Sequence, residues 1–272
     1  MNLFGNDVII GNFKFSDYGL MLGSFDISNS NVEDELGMDY EVIEEFIGYN
    51  PVPIYLGGKH TNKLKPQITI VKNTCQNRED PFFSEHECRE VLRQLTGFNT
   101  YKNMQILIDN IDELLYFNVI TRKVSYQKIN GMVAGIVLYL ECDSQFAWSQ
   151  ELIADYNVNH ERNVIFNNNS DDLYNYLLPK VTIISKTPVD ILEIKNVSDN
   201  NWTTTISNLS ANEIITMDCK NEILTSSISN KAVLDNFNMH FMRFLSGENI
   251  FQINHDIELV ITYRLPRKVG FI

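Results

Sequence analysis

Between Phe15 and Gly58 the 272-residue chain has no lysine or arginine, although nine acids fall there: Asp17, Asp26, Glu33, Asp34, Glu35, Asp39, Glu41, Glu44 and Glu45. The imbalance runs through the whole sequence, with 35 acids against 22 bases and a formal charge of −13. Proteins that grip a duplex supply cations that displace its condensed counterions, so this composition argues against specific nucleic-acid binding. An acidic wall would repel phosphate and let nucleic acid slide past. Cysteine is scarce too. Cys75, Cys88, Cys142 and Cys219 show no CxxC spacing, which predicts reduced, buried thiols and neither a disulfide framework nor a zinc site. The longest nearly apolar run, 131–142, is shorter than a bilayer requires, and the opening "MNLFGNDVIIGNFKF" has no basic leader before an apolar stretch. No membrane partner is expected, and the protein should be soluble and made in a cytoplasm.

Catalytic patterns are also missing. His60, His86, His160, His240 and His255 form no HExxH or other paired spacing, and there is no GxSxG, P-loop or helix-opening GxGxxG. His86 and Cys88 lie two apart on an expected helix, a spacing that turns them to different faces. "NNNSDD" (167–172) lacks the glycine and closing glutamate of a calcium loop and reads as a polar turn. Trp148 and Trp202 could line a sugar site, although an aromatic on a strand is more commonly packing. The expectation is no catalytic residue, no cofactor and no metal, hence no enzyme.

What remains is mostly strand. In the second half "KVTIIS" (180–185), "VDILEIKNV" (189–197), "WTTTISNL" (202–209), "EIITMDC" (213–219) and "EILTSS" (222–227) are short β-prone runs separated by turns such as "SDNN", the spacing of a β-sandwich. From Glu258 to Leu265 the apolar residues Leu259, Ile261, Tyr263 and Leu265 alternate, so Ile261 and Tyr263 should face a core. With Asn249–Asn254 before it and "NHD" between, that run predicts a hairpin. The first half adds "DVIIGNFKF", "GLMLGSFDI", "PQITIVKN" (66–73) and "YFNVITRKVSYQKI" leading into "VAGIVLYLEC". One helix interrupts them: Ser84 and Glu87 form a capping box, Cys88, Val91, Leu92 and Leu95 make its stripe, and Gly97 ends it. The length favours two domains. The Asn- and Asp-rich tract 149–179 marks their junction, giving domains at 1–150 and 151–272.

The order of these pieces resembles the distal tail proteins of long-tailed bacteriophages. "IIGNFKFSDYGLMLGSFD" (9–26), with its Ser16–Leu20 turn, is similar to that family's opening hairpin. The capped helix follows, then "VLYLECDSQFAWS" (137–149), "LPKVTI" (178–183), "EIITMDCKNEIL" (213–224) and "LSGENIFQINHDIELVITYRLPR" (245–267), in which a Gly-Glu-Asn turn and a terminal hairpin look like the family's ending. The resemblance implies a mainly β chain: a tail-tube-like β-sandwich or barrel with one helix at 1–150, and a galectin-like β-sandwich at 151–272. It implies a structural virion protein assembled in the host bacterial cytoplasm, a homohexameric ring at the distal end of the tail that leaves a channel for DNA and tape-measure protein. Its partners would be further copies of itself, the tail tube protein, the tail-tip hub or tail-associated protein, and a receptor-binding protein.

Two other classes stay open, a carbohydrate-binding module contacting host glycans and an enzyme acting on cell wall. The acidic segment Ser28–Gly48 is expected to be a mobile loop in the free protein that orders on assembly, because like charges and weak periodicity give it little reason to order alone.

Overall fold

A computed structural model describes residues 5–23, 40–49, 51–60, 62–74, 80–97, 99–107, 113–159 and 162–268. The chain divides into two compact units, Met1–Trp148 with Lys268–Ile272, and Ser149–Arg267. Each has its own apolar core.

The first unit opens with β1 (Asp7–Ile10) and β2 (Phe13–Lys14), an antiparallel pair that turns at Gly11, φ 60°. A 3-10 turn over Phe15–Tyr18 follows, closed by Gly19 in the left-handed region, φ 63°. Then come β3 (Leu20–Leu22), β4 (Tyr40–Glu45), β5 (Ile54–His60), β6 (Gln67–Lys72), α1 (Glu85–Leu95), β7 (Lys102–Leu107), β8 (Tyr116–Ile129), β9 (Met132–Cys142) and β10 (Ala147–Trp148). The Ser16–Leu20 segment is therefore a short helical turn and not a hairpin turn: β3 pairs with β6, not β2.

The main sheet has the order β2-β1-β7-β8-β9-β6-β3. Its two end strands, β2 and β3, are joined by only Phe15–Gly19, and five residues span at most about 18 Å when extended. The sheet must curl until its ends approach. β1 and β3 do touch, without a hydrogen-bonded ladder between them, so the result is an open, barrel-like curl and not a closed barrel. Val8, Ile68, Ile70, Met104, Phe117, Ile136 and Leu138 fill it. Cys88, Val91 and Leu95 of α1 join the same core, as the helical stripe requires, and the full capping box is present: Ser84 Oγ accepts from Glu87 N–H while Glu87 accepts from Ser84 N–H at 2.7 Å. β8 and β9 meet at Asn130 and Gly131, both at positive φ. That is the two-residue turn whose twist suits a hairpin.

The second unit contains β11 (Leu152–Val158), β12 (Arg162–Asn168), β13 (Lys180–Ser185), β14 (Val189–Asn196), β15 (Trp202–Leu209), β16 (Ile214–Asp218), β17 (Ile223–Ser226), β18 (Gly247–Ile253), β19 (Ile257–Tyr263) and the short β20 (Pro266–Arg267). All of them but β20 form two antiparallel sheets, β11-β19-β13-β16-β17 and β12-β18-β14-β15. Val181, Ile183, Met217, Leu259 and Ile261 of one share a core with Phe166, Leu192, Ile194, Ile206, Phe251 and Ile253 of the other. This is a sandwich. Ile261 is fully buried, and Tyr263 is half-buried with its ring edge-on to Phe166 at 5.0 Å.

The terminal hairpin read from 249–265 does not form. β18 pairs with β12 and β14, whereas β19 pairs with β11 and β13, so the chain crosses from one sheet to the other. Asn254 fixes the crossing point: its side chain accepts from Glu193 N–H at 2.8 Å and donates to Ile191 carbonyl at 3.1 Å, both on β14. Alternating residues then face one core from both sides, which period-2 patterning cannot distinguish from a hairpin.

The tract 149–179, expected to mark a junction, holds β11 and β12 and a hydrogen-bonded turn. Asn168, Ser170 and Asp172 are buried in it. Asp172 caps Tyr174 and Asn175 N–H, both at 3.2 Å. Residues 28–39 of the acidic segment lie outside the described residues. Of the remainder, Tyr40–Glu45 is strand β4 and Phe46–Gly48 leads into its turn.

Candidate interaction surfaces

Among the described residues no group of three or more histidine, cysteine, aspartate or glutamate side chains could hold a metal, and no helix is long and apolar enough to cross a membrane. On α1 His86 is exposed while Cys88 is buried, the divergence that their spacing requires. Burial pushes the Cys142 and Cys219 thiols up to about 12, which removes them as nucleophiles at neutral pH. Cys75 and His160 lie outside the described residues.

Trp202 is committed to packing. The His240 imidazole stacks on it at 4.2 Å and the Arg243 guanidinium lies 3.7 Å from its ring centre. Its Nε1–H donates to Phe241 carbonyl at 2.9 Å. Arg243 also covers Tyr176 at 4.3 Å and binds the buried Asp199 at 2.6 Å. Thr203 and Thr205, the neighbours that might have completed a sugar site, are held by Asn238: its amide donates to Thr203 carbonyl at 2.9 Å and its carbonyl accepts from Thr205 N–H at 3.1 Å. The sequence signal for a glycan platform at Trp202 thus resolves into a half-buried polar-aromatic cluster at the surface, with the Trp202 ring covered by His240 and Arg243.

Asn249 of the Gly-Glu-Asn motif has the same character. It is fully buried. Its side-chain carbonyl accepts from Leu245 N–H at 2.8 Å and from Asn196 Nδ2 at 3.0 Å, and its amide donates to Leu245 and Gly247 carbonyls at 2.8 and 3.1 Å. The motif shapes the chain leading into β18, with Gly247 at φ 87°.

Two surfaces of the first unit are different in kind. Among the described residues β4 and β5 pair only with each other, forming a two-stranded arm. Both of its faces are exposed: Val42, Ile43, Ile54, Tyr55 and Leu56 on the strands and Phe46, Ile47, Tyr49 and Val52 near the turn all lie open, Phe46 at 64% and Leu56 at 58%. An isolated two-stranded ribbon is marginal in water, and an apolar patch of this kind marks a contact site. Glu41 pairs with Lys59 at 3.2 Å. Glu44 and Glu45 make no ion pair among the described residues.

The second surface is the β8–β9 tip. From Arg122 to Leu140 there is no acid, and Lys123, Lys128, Tyr126, Ile129 and Met132 are exposed. Arg122 pairs with Glu141 at 3.2 Å, and Lys123 sits 5.1 Å from the Tyr139 ring centre. A groove of about 390 Å³ adjoins this tip, lined by Phe82, Phe83, Cys88, Tyr126, Met132 and Val133, with Asp80 and Glu85 also on its wall. Those acids are engaged: Asp80 accepts from Phe82 N–H at 3.0 Å and Glu85 pairs with Arg89 at 3.1 Å. Below the groove, Lys72 is buried and binds Glu87 at 2.7 Å. Burial alone would raise the Glu87 carboxyl, but hydrogen bonds from Lys72 and Ser84 prevail and hold it at about 2. The tip was not singled out from sequence as a contact site, whereas β4 of the arm lies in the acidic segment expected to order on assembly. The available signal was a segment dense in apolar side chains on both parities of a strand, which no single core could absorb.

Comparison with known proteins gives this arrangement a context. A family described as "Phage tail protein N-terminal domain" matches residues 4–144, and one described as "Phage tail C-terminal domain" matches residues 146–263. Among curated proteins none matches by sequence. Among solved structures, the fold is similar to that of the Dit protein of phage SPP1, described as a paradigm of the hub adsorption apparatus in phages infecting Gram-positive bacteria. The TM-score is 0.66 at 10% identity, covering 95% of this chain and 98% of that one. The baseplate of phage P2 in its activated conformation with calcium aligns over 96% of this chain and 94% of that chain, at TM-score 0.44 and 10% identity. That last superposition is too distant to carry an argument, and the first is a likeness of fold.

Proposed function

Because the chain belongs to the phage tail proteins and is a structural component of the virion, we propose that it is the ring component at the distal end of the tail. Six copies surround a channel through which DNA and tape-measure protein pass without being bound. The first unit makes the ring contacts, and the second, a galectin-like sandwich, offers its surface to other tail proteins. The tail tube protein docks on one side of the ring, and the hub or tail-associated protein and the receptor-binding protein on the other. The protein performs no chemistry of its own, and it assembles in the host cytoplasm.

The observation that carries this reading is the β4–β5 arm, a ribbon whose apolar side chains join neither core among the described residues. A subunit in a heterologous ring offers two different patches, each covered by a neighbour. The strongly acidic balance suits a channel that repels phosphate. Native mass spectrometry of the purified protein tests the reading: a species six times the 31.4 kDa chain mass is expected, and electron microscopy should show a ring with a central opening. A protein that stays monomeric at every concentration up to about 1 mM, alone and with purified tail tube protein, would refute it. The rival reading, contact with host glycans through the second unit, loses its aromatic platform at Trp202 to the His240 and Arg243 contacts. A glycan array on which the protein binds no sugar is the expected outcome.

A further inference from the structure

Building on the ring reading, we infer that the β4–β5 arm of one copy seats on the β8–β9 tip and its groove on the next copy. The two surfaces match in chemistry. On the arm Phe46, Ile54 and Leu56 stand beside Glu44 and Glu45, its one lysine, Lys59, being paired with Glu41, and on the tip Tyr126, Ile129 and Met132 stand beside Lys123 and Lys128. Among the described residues Glu44, Glu45, Lys123 and Lys128 make no ion pair within the chain. Contact would place carboxylates against ammonium groups at the rim while the apolar side chains leave water in the middle, the usual anatomy of a specific interface.

Charge also selects among ways in which copies could meet. An arm packed on the same arm of a two-fold partner would set Glu44 and Glu45 near their own equivalents, and tip against tip would oppose Lys123 and Lys128. Like charges across an interface are unfavourable, so both isologous pairings are disfavoured and the head-to-tail pairing remains. A head-to-tail contact is the kind that closes into a ring when its rotation permits. The groove beside the tip gives the arm's aromatic turn a place to enter. Of its two wall acids Glu85 is paired with Arg89, whereas Asp80 accepts only from Phe82 N–H and keeps its charge, so the apolar side of the groove is the part that suits the arm.

The test uses the full chain. A carbodiimide, which joins carboxylates to amines without a spacer, is applied to an equal mixture of ¹⁴N- and ¹⁵N-labelled protein, and mass spectrometry maps the bonds. Mixed-isotope peptides joining Glu44 or Glu45 to Lys123 or Lys128 are expected. In parallel, the assembly is followed by native mass spectrometry for Glu44→Lys with Glu45→Lys, for Lys123→Glu with Lys128→Glu, and for the two variants mixed. Each variant alone should assemble at least about tenfold less readily than the original protein, and the mixture should recover, because a ring in which the two variants alternate restores opposite charges at every contact. Circular dichroism confirms that these exposed changes leave the fold intact. A ring that forms in the original protein but ignores both reversals, or crosslinks these sites only within one copy, overturns the inference and leaves the ring reading standing. A protein that never assembles overturns both.

Discussion

Replacing Asn249 with leucine, nearly equal in size but unable to hydrogen-bond, isolates what the Gly-Glu-Asn motif contributes. Two of its partners keep an alternative: Leu245 carbonyl still accepts from Asn168 Nδ2 at 3.0 Å, and Asn196 Nδ2 still reaches Arg243 carbonyl at 3.3 Å. Gly247 is exposed, so its carbonyl can turn to water. Leu245 N–H has no such recourse, since Asn249 is the acceptor at 2.8 Å. One half-buried donor left unsatisfied costs about 1–3 kcal/mol, and the remaining weakened bonds add about 1 kcal/mol, for a total of roughly 2–4 kcal/mol. At the size of the second unit this corresponds to a fall in its melting temperature of about 8–16 °C. Calorimetry of the full chain, with the second-unit transition assigned by the near-ultraviolet signal of Trp202, reads the shift. Asn249→Asp provides an internal control. It keeps the acceptor for Leu245 N–H but sets a carboxylate against the Leu245 and Gly247 carbonyls, so it should be destabilised at neutral pH and recover on acidification, when the protonated group can donate again. A leucine variant within about 0.5 kcal/mol of the original would show that the network does not hold the chain into β18.

Ile261→Ala removes a fully buried side chain from the middle of β19, opposite Ala154 and Val181, and should cost about 2–5 kcal/mol in urea unfolding. Glu213, buried and bound by Lys231 at 2.7 Å, would be raised by burial, but the hydrogen bonds from Lys231, Ser210 and Ser226 lower it below the usual 4.5. Its stabilising contribution is therefore full above pH 4.5 and is lost as the pH falls through the lower folded value. Lys231→Met strands the carboxylate, should cost about 3–5 kcal/mol at neutral pH, and should reverse the slope so that stability rises on acidification; a parallel pH profile for both proteins would contradict this. For Glu87, held at about 2, a carbon-detected NMR titration should show Lys72→Met moving the midpoint upward, with an unmoved midpoint denying Lys72 its role.

How much of this could be read from residues depends on how local the cause is. Helix α1 was fully legible because its capping box and its stripe lie within a dozen residues, and each is a contact the helix makes with itself or with one face of a sheet. The strands of the sandwich were legible for the same reason, since alternation is a property of each strand. Pairing is not. β18 and β19 alternate as a hairpin would, yet a side chain sixty residues away in sequence from its partners on β14 sends them to different sheets. The curl of the first sheet was likewise invisible in the run "SDYGL", because it follows from which strands the short link joins and not from the link itself. The arm was the least legible element. Its acids suggested an unordered loop, and its apolar residues, on both parities, fitted no core. That misfit is itself informative. A strand pair whose pattern is satisfied by neither a sandwich nor solvent is where the proposed ring contact is to be tested first, because on that reading the surface that completes it lies on another copy of the chain.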